Sequence, residues 1–171
     1  REIDKAIKKF TERQSNIGVA REAYKNFMSM EYKGWNGLGA FDAEERKLAN
    51  DLLGFEAYIL FPTSAFNQVI AAKEEKILLG GIQALNRGLA TFSEEDKRMF
   101  PTAYIPLGAG SDIAKKFVDE IIQMGFSAIL IDTVAPKGNK SFTHPDYDEF
   151  WATVQEADLA VTLHVGADGG Y

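Results

Sequence analysis

Hydrophobic and polar residues change rhythm along this chain. From Phe41 onward, short apolar runs alternate with longer stretches in which apolar residues recur every three or four positions. The runs Ala57-Tyr58-Ile59-Leu60-Phe61, Ala103-Tyr104-Ile105-Pro106-Leu107, Phe126-Ser127-Ala128-Ile129-Leu130-Ile131 and Leu159-Ala160-Val161-Thr162-Leu163-His164 read as strands. Strands buried on both faces show such near-continuous apolar runs. Between them, Ile113, Phe117 and Ile121, with Val118 and Ile122 beside them, predict a helix over Ser111 to Met124 that Gly125 closes. Tyr147, Phe150, Trp151 and Val154 predict another from Thr143 to about Ala157. Asp42 and Glu45 form a capping box before Leu48, Ala49, Leu52 and Leu53, and Gly54 is placed as the stop. A long helical stretch is expected from Ser64 to Leu89, with a kink or break at Gly80-Gly81, and Ser93-Glu94-Glu95-Asp96 reads as a further helix start. Strand–helix alternation predicts an α/β fold with adjacent parallel strands in chain order and right-handed crossovers. A closed barrel and an open sheet share this pattern.

Residues 1–40 differ. They are charged and helix-prone, with one short helix expected from Arg21 to Met30 and a turn at Gly34-Trp35-Asn36-Gly37-Leu38-Gly39. Composition narrows the function classes. The 171 residues suggest one domain, and 46% hydrophobic residues suffice for a sizeable core. Without cysteine, disulfides and Cys-based metal sites or nucleophiles are excluded. A net charge of −6 argues against nucleic acid, which needs clustered Lys and Arg. No apolar run approaches the roughly 20 residues of a membrane helix, and the charged N-terminus carries no signal-peptide core. A cytoplasmic protein without membrane contact is expected. The start without Met and the end soon after a strand read as a fragment of a longer chain. Unpaired sheet edges recruit other chains, so a homo-oligomer is expected.

The chemistry concentrates at strand exits. In α/β folds, ligand and metal sites gather at the carboxyl ends of strands. His164 stands there, followed by a Gly-rich segment; taken alone it is a metal ligand or a strand-end histidine bonded to a neighbour. Asp132 ends the third strand, placed to orient substrate or a metal-bound imidazole, or to open its loop. Lys137 and Lys140 follow in that loop, where they would meet an anionic substrate. His144, before Pro145, reads as a helix-entry residue. Gly108-Ala109-Gly110-Ser111 lacks the third glycine of a dinucleotide fingerprint and reads as a turn, as does Ala167-Asp168-Gly169-Gly170.

From Phe41 to Gly166 the chain resembles the amidohydrolase superfamily, in its branch of carboxymuconate-semialdehyde decarboxylases, aromatic-acid decarboxylases and related metal-dependent hydrolases. The resemblance lies in the order and spacing of Ala43-Glu44-Glu45-Arg46, Tyr58-Ile59-Leu60-Phe61-Pro62-Thr63, Ala84-Leu85-Asn86-Arg87-Gly88-Leu89 and Ala103-Tyr104-Ile105-Pro106-Leu107. It continues through Gly125-Phe126-Ser127-Ala128-Ile129-Leu130-Ile131, Pro145-Asp146-Tyr147-Asp148-Glu149-Phe150-Trp151 and Leu163-His164-Val165-Gly166. It implies a partial (β/α)8 TIM barrel over residues 41–171, its strands corresponding to about strands 2–5, with residues 1–40 as a helical N-terminal segment. It implies a divalent metal, zinc or else Mn or Mg, with His164 as the strand-5 ligand. Asp132 and Lys137 are the substrate-side candidates. The implied activity is hydrolysis or decarboxylation of a small carboxylate, a class that in this branch includes aromatic and aromatic-derived acids. The strand-1 ligand pair and strands 6–8 have no counterpart, so tight metal binding by this chain alone is not expected. Two other readings stand beside it: a phosphate-dependent barrel lyase or isomerase, and a non-catalytic α/β binding module.

Overall fold

The computed structural model describes residue 18 and residues 38–40, 42–133 and 140–164. The chain divides into two compact units, Arg1–Gly54 and Phe55–Tyr171. The helix expected from Arg21 to Met30 lies outside the described residues.

In the first unit, helix α1 spans Ala43–Leu53. Its start follows from the capping box: Asp42 is extended, and its carboxylate accepts the Glu45 N–H at 2.9 Å. Its end follows from Gly54, whose φ of 70° is left-handed and lets its N–H bond back to Asn50 and Asp51.

The second unit is built of four parallel strands alternating with helices. They are β1 (Tyr58–Leu60), α2 (Thr63–Ile70), α3 (Glu75–Ser93), β2 (Met99–Ile105), α4 (Ser111–Gln123), β3 (Ala128–Ile131), α5 (Asp148–Glu156) and β4 (Ala160–Leu163). Two 3-10 turns, Leu107–Ala109 and Pro145–Tyr147, lead toward α4 and α5. The sheet order is β1-β2-β3-β4, every pair parallel, as the alternation requires. The strands curl as part of a (β/α)8 barrel.

Register assigns the faces. Ala103 pairs with Ile129 and Ile105 with Ile131; these four are nearly sealed in a core shared with Leu78 and Ile82 of α3, Phe117, Val118 and Ile121 of α4, and Phe150 and Val154 of α5. The alternate positions, Tyr104 and Leu130, lie on the opposite face of the sheet.

Two sequence expectations are corrected. Gly80-Gly81 does not break the helix, because both lie inside α3. A Cβ on Gly81 would stand 3.0 Å from Cγ1 of Val69, so this glycine is a packing site where α2 folds back onto α3. The break falls at residues 71–74 instead. That run contains good helix formers, so packing of α2 on α3, rather than propensity, sets the break. Ser93 ends α3 rather than starting a new helix: its hydroxyl donates to the Ala90 carbonyl at 2.8 Å. Asp96 then bonds both the backbone N–H and the guanidinium of Arg98, turning the chain into β2.

Candidate functional site

The C-terminal ends of the four strands bring together residues from distant parts of the chain. Phe61 follows β1, Tyr104 lies near the end of β2, Asp132 follows β3 and His164 follows β4. Within this group the side chains meet in pairs. The rings of Phe61 and His164 lie 5.5 Å apart, centroid to centroid, inclined at 64°. The Tyr104 hydroxyl donates to Asp132 Oδ1 at 2.5 Å.

Asp132 is only 1% exposed. Its second oxygen, Oδ2, accepts the Gly108 N–H at 3.2 Å. The carboxylate thus ties the exit of β3 to the turn after β2. A buried carboxylate needs such donors, since removing it from water without them is costly. His164 is exposed at the mouth. Lys137 lies outside the described residues.

Tyr104 is itself held from three sides. Its ring packs edge to face on Phe66 of α2, with centroids 4.6 Å apart. Its backbone N–H donates to Asn86 Oδ1, and its C=O accepts from Asn86 Nδ2, both at 3.0 Å. The short β1 pairs with β2 only as far as Leu60 opposite Pro101. Beyond that point the Asn86 side-chain amide, reaching from α3, takes the place of a neighbouring strand. Sequence reasoning missed Phe61, Tyr104 and Asn86 as site residues. Asn86 is a polar residue on the buried side of an amphipathic helix, a signal that marks a buried polar partner without naming it.

Beside this mouth, the turns before α4 and α5 line a half-open cavity of about 290 Å³. Its walls include Gly110, Ser111, Lys140, Asp146 and Tyr147. The glycine segment before α4 is a 3-10 turn, as expected, and Gly110 adopts φ 115°. Lys140 pairs with Asp146; the hydrogen bond between them lowers the Asp146 pKa and raises that of Lys140. His144 enters the second 3-10 turn, its Nδ1 accepting the Asp146 N–H at 3.2 Å. Burial raises the Tyr147 pKa, and its hydroxyl donates to the Leu107 carbonyl at 3.1 Å.

Among the described residues, no three His, Cys, Asp or Glu side chains are grouped to hold a metal ion. A zinc site takes three or four protein ligands. The described donor set therefore does not by itself fit a divalent metal, and His164 is one imidazole of such a set at most. No described helix is long and apolar enough to cross a membrane.

No protein-family model matches the chain, and no curated protein does. Among solved structures, an amidohydrolase from Mycobacterium avium subsp. paratuberculosis K-10 is similar, with a TM-score of 0.65 and 20% identity. The match covers 78% of this chain and 36% of that one, so the chain spans just over a third of the length of the structure it resembles. The likeness is one of fold: a run of consecutive βα units of a (β/α)8 barrel.

Proposed function

We propose that this chain is part of the barrel of a metal-dependent hydrolase or decarboxylase of the amidohydrolase type, acting on a small carboxylate. The observation that carries the reading is the position of His164. It is an exposed imidazole at the carboxyl end of a parallel strand, in a fold shared with an amidohydrolase. Active sites of such barrels lie at that rim. In this reading His164 contributes one ligand to the metal, and strands of the complete barrel that this chain does not contain contribute the others. Lys137 meets the substrate's negative charge. Asp132 serves the substrate side through the loop it holds. An oligomer that covers Val161 and Leu163, which are 43% and 65% exposed on β4, belongs to the same reading; sedimentation checks it.

The test is metal analysis of a complete barrel carrying this chain, before and after His164→Ala, with hydrolysis and decarboxylation of small carboxylates assayed in parallel. Metal content and turnover falling together support the reading. Full metal occupancy and turnover after His164→Ala would overturn the ligand assignment. A complete barrel that takes up no metal and turns over nothing would favour a non-catalytic binding module.

A further inference from the structure

The peptide group joining Leu107 to Gly108 is gripped at both ends. Its N–H donates to Asp132 Oδ2 at 3.2 Å, and its C=O accepts from the Tyr147 hydroxyl at 3.1 Å. The three partners come from different elements: the turn after β2, the residue after β3 and the turn before α5. Tyr104 fixes the other oxygen of the same carboxylate. Asp132, Gly108, Leu107 and Tyr147 are all buried, so none of these bonds is readily exchanged for water.

We infer that Asp132 is a positioning residue whose carboxylate, through this one peptide, couples the loop after β2 to the turn before α5, so that the two parts of the mouth move as one body. A trans peptide is planar, and fixing its N–H on one side fixes where its C=O points on the other. Loss of the Asp132 bond frees the plane to rotate and misaligns the acceptor of Tyr147. The Leu107 C=O also accepts the Gly110 N–H at 3.2 Å, so loss of the Tyr147 hydroxyl loosens the plane, and with it the Gly108 N–H, without releasing it. Tyr147 also lines the cavity beside α4, together with Ala109 and Gly110 of the following turn. The inference goes beyond the catalytic reading and depends on neither metal nor substrate.

The experiment is native-state amide exchange, read residue by residue by NMR, on the whole chain and on Tyr147→Phe and Asp132→Asn. Tyr147→Phe removes one buried oxygen and keeps the ring. It should speed exchange at Gly108 by roughly two- to tenfold, the effect of one lost hydrogen bond. The Gly108 N–H and the acceptor of the Tyr147 hydroxyl are opposite ends of the same peptide. Asp132→Asn leaves one acceptor oxygen where two donors, the Tyr104 hydroxyl and the Gly108 N–H, now bind, and should likewise speed exchange at Tyr147, whose N–H donates to the His144 carbonyl. The amides of Ile129 and Leu130 should stay protected in both variants, showing local release rather than unfolding. Should Asp132→Asn not fold, Tyr147→Phe decides alone. Unchanged Gly108 exchange in Tyr147→Phe would overturn the coupling. The metal and turnover measurements on His164 read different atoms, so either reading can fail without the other.

Discussion

Phe61 and His164 touch edge to face although two whole strands lie between the strands that carry them. In a flat sheet, three strand spacings would hold β1 and β4 roughly 14 Å apart, near the limit of what two side chains can bridge edge on. The contact fits the concave curl of a barrel wall, which brings the two strand ends closer than a flat sheet would. It also brings an exposed imidazole against a half-buried aromatic ring at the mouth.

That contact should be measurable. Phe61→Ala should lower stability by roughly 1–2 kcal/mol, below the range for a fully buried phenylalanine because this one is only half-buried. His164→Ala, at an exposed position, should cost much less. A double-mutant cycle in urea should give a coupling on the order of 0.5–1 kcal/mol between the two rings. Additive losses would mean that the rings do not interact.

Asn86 carries a larger load. Asn86→Ala leaves the N–H and C=O of Tyr104 buried without their partner, and each unsatisfied group costs about 1–3 kcal/mol. Denaturant unfolding should show a loss of roughly 2–5 kcal/mol. Asn86→Asp keeps an acceptor for the N–H but offers no donor to the carbonyl, so it should also destabilise. A loss below about 1 kcal/mol for Asn86→Ala would show that the bridge is not needed.

The two adjacent glycines of α3 should respond oppositely to alanine. Gly80 has open space where a Cβ would stand. Gly80→Ala should therefore stabilise by about 0.5–1 kcal/mol, since a helical glycine carries that penalty. Gly81→Ala places its methyl 3.0 Å from Val69 Cγ1 and should give less benefit or a net loss. Thermal melts of the two variants decide the order; equal gains would contradict the close packing of α2 on α3.

Tyr147 sets an alkaline limit. Burial raises its pKa above the ordinary 10.0, so the folded state favours the neutral hydroxyl more than the unfolded chain does. Its contribution is fully present below pH 10 and is lost as pH rises from there through the folded-state value. Tyr147→Phe should cost about 0.5–1.5 kcal/mol at neutral pH through the lost bond to Leu107. The gap between variant and parent should narrow above pH 10. A gap that stays constant from pH 7 to 11 would argue that the hydroxyl titrates normally.

Much of the fold was legible in the chain because local periodicity carries it. The stripe of Ile113, Phe117 and Ile121 marks the buried side of α4, and Asp42, Glu45 and Gly54 mark both ends of α1. Apolar runs between helices predicted parallel pairing, and all four strands pair that way; burial of both faces holds for β3 and most of β2, whereas β1 and β4 lie at the edges of the described sheet and are largely exposed. His164 and Asp132 stood out because strand exits are where polar residues interrupt apolar runs. What local pattern could not supply was distance across the sheet. The Asp132–Tyr104 bond spans 28 residues and the Tyr147–Leu107 bond 40. The Phe61–His164 contact joins opposite ends of the described sheet. Gly80-Gly81 looked like a break because isolated propensity penalises glycine in a helix. Packing against Val69 kept the helix whole at Gly81. Periodicity, caps and composition therefore determined the elements and their order. Strand register and sheet curl decided which strand-end side chains meet, because those contacts exist only once distant residues share one concave face.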